Sequence, residues 1–439
     1  MTSILAVDNR NGMPDPAMQE VSAKLCEDSA PEPVGAFRYM ARQPILDQRS
    51  KVHGYELLFR SGPELTFRGD GNLATRTMID NTVMFGLERL TSWMPAFVNC
   101  TTESLTGDMV QVLPPGIAVL EILEDLEPTP RLIEACRKLK AAGFRLALDD
   151  FVWRPGIEPL VALANYVKVD FMKLGAAERK ELLLRLRGTP VCLIAEKVET
   201  QEDFKQACAE GFKLFQGFFF CRPLLLKNGR VPANRLSQIE ILGLLQHDPM
   251  NLPRLSEAVK REASLAYRLL RLVNSPVCAI RQEVTSIESA LMVVGEDTFR
   301  RMATLAIASE FNANQPLEIL RMAFVRARFC ELAAGLCGLS PTEQYLIGLL
   351  SMFPAMLRVP MENLVPALPL REDLRNALLG SDVPQRSLLH WLECDEQGDW
   401  EGCDAIVLSN GLCPDQLMRC YIEAVDWAET AFKSSSMGD

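Results

Sequence analysis

Five short apolar runs in the first half of the chain each close on acid or amide side chains. They are YELLFR (Tyr55–Arg60), FVNC (Phe97–Cys100), VLEIL (Val119–Leu123), LALDDF (Leu146–Phe151) and LIAEKVE (Leu193–Glu199). Lys168 in YVKVD and Gln216 in LFQGF keep the same rhythm. Glu56, Asn99, Glu121, Asp149 and Asp150 would supply nearly all the oxygens that one or two Mg²⁺ or Mn²⁺ ions require. Lys168 adds a cation that could neutralise phosphate oxygens or hold a water. Glu196 and Glu199, three apart just past a strand, offer a general base. This set suits hydrolysis of a phosphate ester or diester. Each piece alone has a plainer reading: Asp-Asp as a loop or N-cap, Lys-x-Asp as a solvated strand end, Glu196 and Glu199 as first-turn helix acids. Their conjunction at the same end of successive strands favours chemistry.

Such tips need a scaffold that points them at one place. Strand-like runs at Ala118–Leu123, Arg145–Asp150, Tyr166–Val169, Val191–Ala195 and Leu214–Phe219 alternate with helix-like stretches. Arg131–Ala142 puts Leu132, Cys136 and Leu139 on one face, Glu178–Arg187 carries a leucine stripe, and Thr200 N-caps a helix that Gly211 stops. Alternating β and α implies a parallel sheet, and convergent tips favour a closed (β/α) barrel of the TIM-like kind, whose sites lie at the strand ends. Beyond Leu224 strand-like alternation largely fades. Ser256–Val273 sets Val259, Leu265, Leu269, Leu272 and Val273 at helical intervals, and Ser340-Pro341-Thr342-Glu343 reads as a capping box. The expected layout is a flexible tail over 1–35, an α/β barrel over 36–228, a linker over 229–236, an all-α domain over 237–433 and a C-terminal tail over 434–439.

A net charge of −11 argues against a general binder of duplex nucleic acid or anionic membranes. The 13 cysteines are scattered without a C-x-x-C pair, which reads as reduced core thiols and a cytoplasmic setting. The longest apolar run, Tyr345–Leu357, is broken by Pro354 and is too short for a membrane span.

YELLFR, FVNC, LEIL, LALDDF, VKVD, AEKVET and FQGFFFCRP follow, in order, the motifs of EAL domains, which the chain resembles over roughly residues 38–224. These are bacterial phosphodiesterases that open cyclic di-GMP to linear pGpG. The opening ARQPILDQRSKVHGYELLFRSG is similar to the branch in which a shortened EAL barrel precedes an HDOD domain. The resemblance implies Glu56, Asn99, Glu121 and Asp149 as ligands of a first Mg²⁺ or Mn²⁺, with Asp150 reaching toward a second. It implies Lys168 holding the attacking water or a phosphate oxygen, Glu196 as base and Glu199 supporting the shell. Arg60 would pair with a substrate phosphate, Gln43 would lie near a guanine, and Gln216 would contact water or substrate. Three departures stand out. Phe151–Gly156 replaces a glycine- and serine-rich loop, Lys197 stands where the family has glycine, and the interval from Glu56 to Asn99 is short. A cation at 197 would either lower the pKa of Glu196 or pair with it.

LSEAVKREASLAYRLLRLVNSP, SIESALMVVGEDTFRRM and VRARFCELAAGL resemble the HDOD domain, a helical relative of HD phosphohydrolases without their metal site. His247 reads as a loop residue, His53 as a strand-surface residue, and Arg261, Arg268, Arg271, Arg300 and Arg301 as a solvated face. The expected function is metal-dependent cyclic di-GMP hydrolysis in bacterial signalling, with HDOD regulating or binding signalling proteins. The alternative is an EAL domain that has lost turnover and acts as a nucleotide sensor or scaffold. A homodimer is left open.

Overall fold

The computed structural model describes residues 39–60, 86–107, 109–221, 235–245, 250–274, 278, 280, 284–312, 315–368 and 370–436. The expected N-terminal tail, the linker from 229 to 234 and His247 lie outside these residues. Eight strands close into a barrel in sequence order: β1 (Tyr39–Asp47), β2 (Val52–Arg60), β3 (Ala96–Cys100), β4 (Ala118–Ile122), β5 (Arg145–Leu148), β6 (Tyr166–Asp170), β7 (Cys192–Glu196) and β8 (Leu214–Gln216). β1 runs antiparallel to both β2 and β8, and the other pairings are parallel. Pro44 sits inside β1, where a missing N–H hides a strand from pattern reading.

The interior is layered by the period-2 alternation of strand side chains. Ile45, Phe97, Val119, Ala147, Tyr166, Ile194 and Leu214 form a small apolar cluster of their own, apart from the main core. Two residues further toward the mouth on each strand stands a polar partner: Gln43, Asn99, Glu121, Asp149, Lys168, Glu196 and Gln216. On β2 Gly54 takes the apolar-layer position opposite Ile45, because a Cβ there would lie 2.5 Å from the Pro95 carbonyl oxygen and 3.2 Å from the Phe97 ring, and Glu56 is its polar partner toward the mouth.

The barrel helices include α1 (Leu87–Leu90), α2 (Thr102–Thr106), α3 (Pro130–Ala141), α4 (Glu158–Leu163), α5 (Ala176–Leu186) and α6 (Gln201–Glu210). α3 buries Leu132, Cys136 and Leu139 as expected, each leucine contributing roughly 1.5–3 kcal/mol. Thr200 caps α6 in a reciprocal box with Asp203, and Gly211 ends it at φ 107°.

The second domain is helical throughout its described residues: α7 (Leu236–Leu244), α8 (Leu252–Lys260), α9 (Ala263–Val273), α10 (Ile287–Val294), α11 (Glu296–Phe311), α12 (Leu317–Ala333), α13 (Pro341–Leu350), α14 (Phe353–Leu357), α15 (Met361–Leu364), α16 (Glu372–Leu378), α17 (Ser387–Gln397), α18 (Trp400–Asn410) and α19 (Pro414–Ser436). The helical intervals of Ser256–Val273 fall on two helices, separated at Arg261 and Glu262. Several expectations need correction. Phe218–Phe220 is a 3₁₀ turn, because Gly217 at φ 138° ends β8. Ser340 precedes α13 without a side-chain capping bond. α19 continues to Ser436, three residues past the expected tail boundary. Arg300 is buried, so the arginine face is only partly solvated. His53, at the register shift of the β1–β2 pair, is half-buried and bonds the Tyr166 hydroxyl at 3.0 Å. The described cysteines are free thiols. No helix among the described residues is long and apolar enough to cross a membrane.

The two domains are joined through the β1–β2 hairpin. Tyr39 stacks on Trp400 with 5.9 Å between ring centres and donates to Asp404 at 2.6 Å. The Tyr55 hydroxyl donates to Glu318 at 3.0 Å and accepts from Arg321 at 3.1 Å. Arg89 pairs with Asp426 at 3.0 Å.

Candidate active site

Lys168 is the hub. Its ammonium is fully buried and lies 3.0 Å from Glu56, 2.8 Å from Glu121, 2.8 Å from Asp149 and 2.9 Å from Glu196. These carboxylates come from β2, β4, the end of β5 and β7, so the sequence-scattered acids do converge. Asn99 donates to Glu56 at 3.4 Å, and Gln216 donates to Glu56 at 2.6 Å and to Gln43 at 3.0 Å. The Gly217 backbone passes so close to Val198 that a Cβ would lie 2.2 Å from its carbonyl oxygen, which fixes Gln216.

The electrostatics follow from one cation shared among four acids. Burial disfavours the Lys168 charge, but Glu121, Glu196, Glu56 and Asp149 outweigh it and hold the pKa well above that of an ordinary lysine. Burial also works against ionised Glu56, yet Lys168 and the amides of Gln216 and Asn99 prevail and keep its pKa low. The other acids lose that balance. Burial, reinforced by neighbouring carboxylates, pushes Glu121 well up, raises Asp149, and lifts Glu196 to about 8.

The donor set fits a hard divalent cation. Asn99 Oδ1 and Glu121 Oε2 are buried acceptors without a hydrogen bond among the described residues. Glu121 Oε1 touches the ammonium at 2.8 Å but off the donor directions, so it too accepts no aligned bond. With Lys168 in the centre, no three His, Cys, Asp or Glu side chains among the described residues share a metal-holding arrangement. Glu56, Glu121 and Asp149 would have to turn part of their oxygens away from the ammonium to hold an ion.

The remaining expected residues lie around this hub. Asp150 stands at the rim with φ 41°, 3.9 Å from Lys173, outside the shell around Lys168. Glu199 is half-buried in the loop after β7. Arg60 ends β2 and pairs with Asp404 of the helical domain at 3.0 Å. Gln43 donates to the Glu396 backbone carbonyl at 3.3 Å. The loop after Asp150 packs Phe151 into the core and anchors Arg154 on the Leu126 carbonyl. Beside Asp149 it lines a small open pocket of about 140 Å³.

Lys197 does not pair with Glu196, although its charge still acts on that carboxylate from nearby. Its ammonium pairs with Asp170 at 2.5 Å rather than with Glu196, and its φ of 54° is the left-handed conformation that glycine favours. Asp170 itself was passed over as a solvated strand end. It is buried, caps the Met172 and Lys173 amides at 2.9 Å, and lies beside Glu196 in register. Its spacing of two from Lys168 was the available signal, since both face the interior.

The fold and the site together define a two-domain signalling architecture: an EAL-type barrel with an acid-lined mouth, followed by an HDOD domain. The HDOD family model matches residues 232–359. The uncharacterized protein YuxH of Bacillus subtilis is 32% identical over 400 residues, covering 89% of this chain and 97% of that protein. The cyclic di-GMP phosphodiesterase CdgJ of Vibrio cholerae is 34% identical over 398 residues, covering 89% of this chain and 92% of its own. The chain therefore belongs to the EAL–HDOD family of these relatives. The solved c-di-GMP complex of the phosphodiesterase PaMucR is a looser match, at 19% identity and a TM-score of 0.36 over 45% of this chain and 99% of that one.

Proposed function

We propose that this protein hydrolyses cyclic di-GMP to linear pGpG. The observation that carries this is the convergence of Glu56, Glu121, Asp149 and Glu196 on Lys168 at the barrel mouth. Further support comes from the relative CdgJ, named for this activity and alike over nearly the whole chain.

Glu56, Asn99, Glu121 and Asp149 would hold a divalent metal, Mg²⁺ or Mn²⁺, with Asp150 toward a second. When bound, the metal supplies Lewis-acid activation of water and charge neutralisation at phosphorus. Glu196, whose carboxyl burial raises to about 8 without a metal, would accept the proton of the attacking water once a bound cation keeps it ionised. Lys168 steadies that water or a phosphate oxygen. The new P–O bond forms as one ester P–O bond of the ring breaks, and the leaving ribose oxygen takes up a proton. Arg60 receives a substrate phosphate, Gln43 a guanine edge, and Gln216 orients Glu56. Glu199 supports the loop after β7. Such a protein works in the cytoplasm, where the nucleotide is, and its HDOD domain serves regulation and signalling partners.

The test is incubation of the purified full chain with cyclic di-GMP and Mg²⁺ or Mn²⁺, following pGpG. Product that disappears on chelation supports the reading. Absence of pGpG at high protein concentration in both metals overturns it.

A further inference from the structure

We propose that Asp404 of the helical domain sets the substrate affinity of the barrel by competing with a substrate phosphate for Arg60. This rests on the reading that Arg60 receives that phosphate. Arg60 lies four residues beyond Glu56 on the same face of β2, which places it about 13 Å farther along the strand at the mouth. A cation there is well placed for an anionic substrate descending toward Glu56. In this structure it is turned to Asp404, at 3.0 Å, with both side chains largely buried.

The contact is a replaceable one. Arg60 Nη1 is buried against Asp404 without an aligned hydrogen bond among the described residues. A phosphate offers better-aligned acceptors to the planar guanidinium fork. Asp404 is held in place independently, since its other oxygen accepts from the Tyr39 hydroxyl at 2.6 Å and Tyr39 stacks on Trp400. The carboxylate therefore stays at the mouth whether or not Arg60 remains with it. It acts twice against a diester anion, by occupying the guanidinium and by like-charge repulsion.

The same helical segment reaches the site by a second route. The Glu396 carbonyl at the end of α17 accepts from Gln43, which accepts from Gln216, which donates to Glu56. Arg326 fixes the Glu396 side chain from α12. Any shift of α17 and α18 away from the hairpin would thus free Arg60 and loosen Gln43 together. Through this contact a partner of the helical domain could raise substrate affinity without touching the barrel.

The experiment is steady-state hydrolysis and calorimetric binding of cyclic di-GMP by full-length wild type, Asp404→Asn, Arg60→Ala and the double variant. Asp404→Asn keeps an acceptor for Tyr39, and Asp404→Ala serves if the first does not fold. Removing the charge should lower KM and Kd about three- to tenfold with kcat within twofold, and the gain should vanish in the Arg60→Ala background. An unchanged or higher KM and Kd in an active, folded Asp404 variant overturns this inference and leaves the phosphodiesterase reading intact. Failure of every protein, wild type included, to bind or hydrolyse the nucleotide overturns both.

Discussion

Lys168 Nζ lies 3.0 Å from Glu56 Oε2 in the closed interior of the barrel, and three more carboxylates crowd the same ammonium. One positive charge thus holds four acids apart from solvent. Removing it leaves the ionised Glu56 carboxylate buried without its cation, a loss of about 3–5 kcal/mol for a broken buried pair. Lys168→Met should therefore sharply lower the stability of metal-free protein in chemical denaturation. Mn²⁺ should raise the stability of the variant more than that of wild type, because an ion can replace the missing cation. Equal stability of the two proteins in chelator would show that Lys168 does not hold Glu56 ionised.

The raised pKa of Glu196 sets a pH signature for metal-free protein. Its folded value of about 8 exceeds the ordinary 4.5, so between these two the folded state keeps a proton that the unfolded chain has released. Raising pH through that window favours unfolding, and the penalty levels off above about 8. Glu121 and Asp149 act in the same direction and Glu56 in the opposite one. Denaturation in chelator should show stability falling from pH 5 to 8, by at most about 1.4 kcal/mol per pH unit for one group. A flat or rising profile would mean that Glu196 is ionised in the folded protein.

The barrel and its acid set were legible because both are periodic: strand–helix alternation, and one polar tip per strand. Convergence on Lys168 then follows from closure. What escaped lacked a local signal. Pro44 keeps β1 out of the strand-like runs. Asp170 is the exception: it reads as a solvated end although its spacing of two from Lys168 puts both on the interior face. Lys197 was read from its neighbour in sequence, whereas its left-handed backbone swings the side chain to Asp170 on β6. The contacts of Arg60 with Asp404 and of Gln43 with Glu396 join residues more than 340 positions apart, and no spacing rule reaches that far.

Lys197 offers a test of how far the departure from glycine matters. Glycine would relieve a left-handed conformation that costs an ordinary residue about 1–2 kcal/mol, at the loss of an ion pair whose lysine side chain is mostly exposed, worth about 0–1 kcal/mol. Added freedom of the unfolded chain takes back about 0.4–1 kcal/mol. Lys197→Gly should stay within about 1 kcal/mol of wild-type stability. Its kcat should change less than about threefold, since Lys197 pairs with Asp170 and not with Glu196. A tenfold change in turnover would place Lys197 in the machinery after all.

Gly217 is the opposite case. A Cβ would collide with the Val198 carbonyl at 2.2 Å, and φ 138° is closed to side chains. Backbone strain of this kind costs about 1–3 kcal/mol before the clash is counted. Gly217→Ala should lose at least about 2 kcal/mol and, by moving Gln216 off Glu56, weaken Mn²⁺ binding in whatever protein folds. Unchanged thermal stability would mean that β7 and β8 can separate without cost.

Glu196→Gln separates binding from turnover. The amide keeps the shape of the side chain and can still approach Lys168 through its carbonyl oxygen, but it cannot accept the proton of an attacking water. The loss of a positioned base typically costs about 10²–10⁴ in rate, so hydrolysis of cyclic di-GMP should fall by at least about a hundredfold. Nucleotide affinity should stay within a few-fold, because Arg60, Gln43 and the oxygens of Glu56, Asn99, Glu121 and Asp149 are untouched. The same substitution removes the group with the pKa near 8, so the decline in metal-free stability between pH 5 and 8 should flatten. Ordinary turnover in this variant would move the base elsewhere, with Asp170, buried beside Glu196 in register, as the next carboxylate to replace.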